Sequence, residues 1–217
     1  ISTRVPGGCD GLPDSVRVVI EISRAAYAQM VGAALDAYPL EACGLVAGPP
    51  GAGGGAGDRA PVFYPCRNAA ESARVYTIDP KDHLHAEMDA DDRGFEINGV
   101  VHSHTHSEPY PSPTDVAAAP DPGWHYVIIS LKREAPEARS YRIVDGTITA
   151  DGGRSASYGY GGGSGGGGGP DRLAAGAGGL GMIRATAADR PAIEAFLRDH
   201  SATSMFPLSN LRRQGMA

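Results

Sequence analysis

The run His102-Ser103-His104-Thr105-His106-Ser107-Glu108-Pro109-Tyr110-Pro111-Ser112-Pro113-Thr114-Asp115 constrains this chain more than any other stretch of it. It follows the largely apolar segment Ile97 to Val101, so the first two histidines fall at the end of an expected strand. Alternate strand residues share a face, which brings the His102 and His104 imidazoles side by side. Asp115 lies eleven residues after the second histidine and can return to the same point as a third ligand. Two histidines and one carboxylate leave a fourth tetrahedral position open, the arrangement of a catalytic zinc rather than a structural one.

Each part of this run also has an ordinary reading. An isolated His-x-His pair is common and need not bind anything. Ser112-Pro113-Thr114-Asp115 is a good helix start, with serine as N-cap, proline at the first helical position and aspartate at the third. The two roles are compatible, because a capped helix start holds Asp115 rigidly toward a metal. The Ser112 hydroxyl can also donate to a developing oxyanion. Glu41, in Tyr38-Pro39-Leu40-Glu41-Ala42-Cys43-Gly44, reads as an acid inside an apolar strand. A charge there is costly without a partner, and a catalytic water at the metal would be one, with Glu41 as general base. His106 reads as a solvated residue or one behind the ligands, Cys43 as a small core residue, and His125 as a strand surface residue. His83 and His85 fall on different faces of a helix and read as non-ligands.

Helices and strands are expected to alternate through residues 16–150, giving a mixed α/β domain. Val16 to Ile22 reads as a strand. Ser23 then caps a helix from Arg24 to about Ala37, with Ala26, Tyr27, Met30, Ala33 and Ala34 on its apolar stripe. Leu40 to Ala47 reads as a buried strand, and Gly48 to Gly57, with six glycines and two prolines, as a loop. Ala60 to Pro65 and Val75 to Ile78 are short strand candidates. Asp79-Pro80 opens a helix to about Met88. Phe95 to His102 is the strand of the histidines, and Ser112 opens a short helix through Ala119. Trp124 to Leu131 and Ala138 to Val144 are strands, and Asp145-Gly146 makes a tight hairpin turn into Thr147 to Ala150.

Outside that domain, residues 1–15 read as a flexible N-terminal segment. Residues 151–181 hold 15 glycines in 31 positions, the composition of a disordered linker. Met182-Ile183-Arg184 then suggests a strand, and Thr186 a cap for a helix over Ala187 to His200. The remaining 36 residues, 182–217, are too few for a core of their own.

Composition narrows the partners. The net charge is −6 overall, and residues 16–150 carry 18 acidic against 11 basic side chains, or −7. With no basic stripe, nucleic acid is not an expected partner. No membrane-length apolar run is present, so no membrane partner is expected either. The three cysteines, Cys9, Cys43 and Cys66, are too few and too scattered for a disulfide framework or a cysteine zinc site, and as free thiols they favour the cytoplasm.

Taken together, Glu41, His102-Ser103-His104, seven residues, Ser112, two residues and Asp115 resemble the signature of the JAMM, or MPN-plus, metalloproteases. The resemblance covers about residues 16–150. The strings around Glu41 and from Tyr110 to Asp115 are similar to the small prokaryotic, Mec-type members. Membership implies a cytidine-deaminase-like α/β fold, a central mixed sheet with helices on either side. It implies one zinc per chain on His102, His104 and Asp115, with Glu41 as the base and Ser112 as the oxyanion donor. It also implies hydrolysis of the (iso)peptide bond after the C-terminal Gly-Gly of a ubiquitin-like or sulfur-carrier protein, with release of cysteine from a carrier-cysteine adduct as the favoured case. The competing expectation is a non-catalytic module of the same fold that only binds ubiquitin-like proteins. A zinc nucleoside deaminase wants His-x-Glu and Pro-Cys-x-x-Cys, and neither is present. The piece from Ile183 to Arg213 resembles the first strand and helix of a GNAT acetyltransferase. It lacks the glycine-rich loop for acetyl-CoA, and no activity is assigned to it.

Overall fold

A computed structural model describes residues 20–52, 57–150, 172–174 and 182–199. The expectations for residues 1–15 and for the greater part of 151–181 lie outside the described residues, as do Val16 to Val19 of the expected first strand and residues 200–217.

Strand β1 (Glu21–Ser23) runs directly into helix α1 (Arg24–Ala37). Ser23 is the N-cap: its Oγ accepts the Ala26 N–H at 3.1 Å and donates to the Pro61 carbonyl at 3.0 Å, which ties the helix start to the joint between two short strands. Next come β2 (Cys43–Gly48), β3 (Arg59–Ala60) and β4 (Val62–Cys66). Helix α2 (Pro80–Asp92) starts on Asp79, whose carboxylate accepts the Lys81 N–H at 2.9 Å, with Pro80 in the first turn where its missing N–H costs nothing. Strand β5 (Glu96–His104), helix α3 (Pro113–Ala117), β6 (His125–Ser130), β7 (Glu137–Val144) and β8 (Thr147–Ala150) complete the part matching the expected domain. Asp145 and Gly146 both have positive φ (48° and 77°), the backbone of the two-residue turn that their sequence announces.

The main sheet has the order β10-β7-β6-β5-β2-β4, where β10 is Met182–Arg184, and β8 pairs with β7. Its pairings are antiparallel except β5 with β6, which is parallel. Period-two alternation divides β5 between two cores. Val101, with Val127 and Ile129 of β6, packs under α1 against Ala26, Met30, Val31 and Leu35. Val100, with Tyr126 and Ile128, faces the other way, toward Ala86 of α2 and toward Tyr141 and Ile143. Burying a leucine such as Leu35, at 0 % exposure, contributes about 1.5–3 kcal/mol. His102 and His104 follow Val100 at steps of two and so emerge on the α2 side.

Most expected elements shift at their ends, α2 for example running on to Asp92 and the strand expected over Ala60 to Pro65 splitting into β3 and β4, and three regions differ more. Val75 to Ile78 forms no strand, only one antiparallel bridge between Ile78 and Asn68. Within the expected linker, the glycine-free triplet Arg172–Ala174 forms a strand, β9, antiparallel to β1 in a small sheet of order β3-β1-β9. Helix α4 spans Arg190–Asp199 and begins later than Thr186, because Thr186 and Asp189 close a turn first, with both the Thr186 N–H and hydroxyl donating to the Asp189 carboxylate at 2.9 and 2.8 Å.

The segment 182–199 lies on the domain. Strand β10 pairs with β7, and Ile193, Phe196 and Leu197 of α4 join the core under α1. The Phe196 ring sits where a side chain at Gly32 would stand, and Arg24 pairs with buried Asp189 at 3.2 Å. No helix among the described residues is long and apolar enough to cross a membrane.

Candidate metal centre

The last residues of β5 present two imidazoles on one face. His102 Nε2 and His104 Nε2 are 3.1 Å apart, and both rings are buried. Each is fixed by a different neighbour. His104 Nδ1 lies 2.8 Å from the Glu108 carbonyl, which can only accept, so the proton sits on Nδ1 and Nε2 presents its lone pair. The His102 ring is stacked on Tyr76, with centroids 4.5 Å apart and planes 20° from parallel. Burial lowers the pKa of His102 and so favours the neutral imidazole that a metal ligand must be. Burial acts the same way on His104, but the Asp115 carboxylate, the Glu108 carbonyl and the charge of Glu41 together outweigh it and raise the pKa.

The third donor arrives on α3. Ser112 and Asp115 form a full capping box: Asp115 N–H donates to Ser112 Oγ at 3.2 Å, and Ser112 N–H donates to Asp115 Oδ2 at 2.6 Å. That same Oδ2 lies 3.5 Å from His102 Nε2 and 3.6 Å from His104 Nε2. Burial works against the Asp115 charge, but the two neighbouring histidines and the Ser112 hydrogen bond hold its carboxyl well below the usual range. The donor atoms of His102, His104 and Asp115 all lie within 4.8 Å of one another. Two ligands bound at 2.0–2.1 Å to one tetrahedral ion lie roughly 3.4 Å apart, so separations of 3.1–3.6 Å suit a shared ion. The donor set therefore fits a metal of the kind that imidazole and carboxylate bind together.

Glu41 stands beside this triangle. It is not within a strand, as its apolar neighbours had implied: β2 starts at Cys43, and Glu41 sits in the approach to it. The backbone diverges there because its bonds go elsewhere. Glu41 N–H donates to the Ser72 carbonyl at 2.9 Å, and the Glu41 carbonyl accepts from Asn68 Nδ2 at 3.0 Å. The next residue, Ala42, is held by the middle residue of the His-Ser-His run, with Ala42 N–H donating to Ser103 Oγ at 2.8 Å and Ser103 N–H to the Ala42 carbonyl at 2.9 Å. The Glu41 side chain is 5 % exposed, and burial pushes its pKa to about 7, with the charge of His104 opposing and that of Asp115 adding to the rise. A carboxyl poised there can accept a proton near neutral pH and give it up again.

All five expected site residues thus fall in one region. The sequence did not reveal Ser103, whose hydroxyl positions Ala42, or Tyr76, which backs His102 from an irregular segment. A serine near the end of a buried strand was the available signal for the first; Tyr76 had none. His125 is not a surface residue. It is fully buried at the start of β6, with Nε2 3.2 Å from Asp58 Oδ1 and 2.7 Å from the Arg142 guanidinium, at the opposite end of β5 from the metal ligands. His106 is exposed, and Cys43 is buried, as expected of each.

A mixed sheet flanked by helices, with two histidines and an aspartate converging where its parallel strands end, defines a hydrolase of the JAMM type. Residues 23–144 match the family of prokaryotic homologs of the JAB domain, and the chain belongs to that family. A CysO-cysteine peptidase of Mycobacterium bovis is 40 % identical over 123 residues, which cover 56 % of this chain and 81 % of the relative. A desampylase of Haloferax volcanii is 36 % identical over 100 residues, covering 46 % and 68 %. Among solved structures, a protein from Desulfitobacterium hafniense superposes with a TM-score of 0.51 at 30 % identity, covering 59 % of this chain and 87 % of that one.

Proposed function

We propose that this chain is a zinc hydrolase acting on the bond after the C-terminal Gly-Gly of a sulfur-carrier or ubiquitin-like protein, with a carrier-cysteine adduct as the first-ranked substrate. The observation that carries the reading is the convergence of His102, His104 and Asp115 beside a buried carboxyl whose pKa lies near neutrality. The names of two relatives, a CysO-cysteine peptidase and a desampylase, support the substrate class.

His102, His104 and Asp115 would hold the zinc. When bound, zinc supplies Lewis acidity, making a water acidic near pH 7 and polarising a carbonyl. The remaining work falls to side chains. Glu41 takes the proton of the attacking water, which its pKa of about 7 permits, and then delivers it to the leaving amine. Ser112 uses its Oγ to accept the Asp115 N–H, so its own proton is available to the oxyanion as the carbonyl carbon becomes tetrahedral. Asp115 serves as an anionic ligand, with Oδ2 aimed at the histidines by the Ser112 N–H.

The test is a panel of purified carriers offered to the zinc-loaded chain: one ending in Gly-Gly-Cys, one ubiquitin-like protein joined through Gly-Gly to a lysine, and one carrying a Gly-Ala tail. Cleavage of a Gly-Gly carrier, with the Gly-Ala tail spared and Glu41→Gln inactive, is expected. Zinc binding with no cleavage of any Gly-Gly carrier would point instead to a binding module.

A further inference from the structure

Residues 105–111 link the ligand His104 to the cap Ser112, and the structure holds this link in an unusual way. Three consecutive carbonyls in it are each taken by a different buried side chain. The Ser107 carbonyl accepts from Ser130 Oγ at 2.6 Å, the Glu108 carbonyl faces His104 Nδ1 at 2.8 Å, and the Pro109 carbonyl accepts from the Tyr141 hydroxyl. Ser130 is 1 % exposed and Tyr141 2 %. The Ser130 hydroxyl accepts the Lys132 N–H at 3.2 Å, which directs its own proton to Ser107. Tyr110 lies edge-on to the Tyr141 ring, centroids 5.5 Å apart, closing the far side. An outer contact from Lys132 and Arg133 to the Glu108 carboxylate is exposed and adds little.

We propose that Ser130 and Tyr141 are positioning residues for the metal centre, clamping the 107–109 backbone so that the Glu108 carbonyl orients His104 and the link delivers Asp115 to it. Ser130 stands opposite His104 in the parallel β5–β6 register, and Tyr141 lies on the next strand, β7. The clamp is therefore built on the rigid sheet, and it acts at both ends of the link. Removing either hydroxyl leaves one carbonyl without its side-chain donor, in a buried bond at Pro109 and a part-buried one at Ser107, and frees the peptide that sets the His104 ring. The inference rests on the assignment of His104 and Asp115 as metal ligands.

The experiment is zinc affinity of the whole chain, measured by competition with a chromophoric chelator, with circular dichroism checking that each variant is folded. Ser130→Ala and Tyr141→Phe should each weaken zinc binding about 10-fold, and the double variant up to about 100-fold. Ser130→Thr, which keeps the hydroxyl, should stay close to the parent. Tyr126→Phe is the control for loss of a buried phenol, because its hydroxyl bonds to the Asp121 carbonyl and not to the link; its zinc affinity should not change. Should Ser130→Ala not fold, Tyr141→Phe alone decides. Parental affinity in Tyr141→Phe and in the double variant overturns the clamp while leaving the ligand assignment intact. So does an equal loss in Tyr126→Phe, which would mark a general effect of stability. Absence of zinc binding by the parent chain overturns the ligand assignment and the clamp with it.

Discussion

Asp115 Oδ2 accepts the Ser112 backbone N–H at 2.6 Å and is also the oxygen that faces both histidines. One bond therefore starts a helix and aims a ligand. The Ser112 hydroxyl takes the return bond from Asp115 N–H, so backbone and side chain of the same serine have separable duties.

Those duties predict different losses. Ser112→Ala keeps the backbone N–H and should keep zinc, while turnover falls by about 10²-fold through the missing oxyanion donor. It should also lose about 1 kcal/mol of stability through the missing cap. Asp115→Ala should lose the metal and the activity together. Chelator competition and steady-state kinetics on the two variants separate these outcomes, and loss of zinc in Ser112→Ala would assign the hydroxyl to ligand placement.

Glu41→Gln preserves shape and removes the proton acceptor. It should retain stoichiometric zinc and lose at least about 10²-fold in turnover, the ordinary scale of general-base catalysis. Near-normal turnover would remove Glu41 from the role of base.

Burial raises the Glu41 pKa from 4.5 to about 7, which links pH to stability in the zinc-free chain. The folded state prefers the protonated carboxyl. The favourable contribution is therefore complete below about pH 4.5 and is lost as pH rises through 7. In chelator, the parent should lose about 1–3 kcal/mol relative to Glu41→Gln between pH 5 and 8. Urea unfolding of both proteins at several pH values measures the difference, and parallel curves would exclude the linkage.

Burial pushes the Cys43 and Cys66 thiols up to about 12. Alkylation by iodoacetamide at pH 8 should then be roughly a thousandfold slower at both than at a free thiol, and urea should abolish the protection. Mass mapping of the two peptides reads this directly.

The chemistry was more legible in the chain than its placement. His102, His104, Ser112 and Asp115 are close in sequence, and strand alternation and helix capping are local rules, so their convergence follows from short-range geometry. Glu41 was identified by chemistry but given the wrong setting, because the apolar run from Leu40 to Ala47 hides a backbone that leaves the ladder for Ser72 and Asn68. His125 was misread for a related reason. The Asp58 and Arg142 partners that make its burial tolerable are distant in sequence and carry no periodic signal. A helix over Ala187 to His200 is legible from its cap and composition, but the notch at Gly32 that receives Phe196 is legible only in three dimensions.

The parallel pairing of β5 with β6 sets a limit on how this protein can be shortened. A hairpin between antiparallel strands closes in two residues, whereas a parallel neighbour obliges the chain to travel back along the whole sheet before re-entering it. Residues 105–115 stay at the His104 end, where they carry Glu108, Ser112 and Asp115, and residues 116–124 make the return journey to β6. Loop trimming, the usual route to a smaller enzyme, has no slack to remove here. A residue deleted from 105–115 would disturb the held path that sets Asp115 against the histidines, and one deleted from 116–124 would shorten the return to β6.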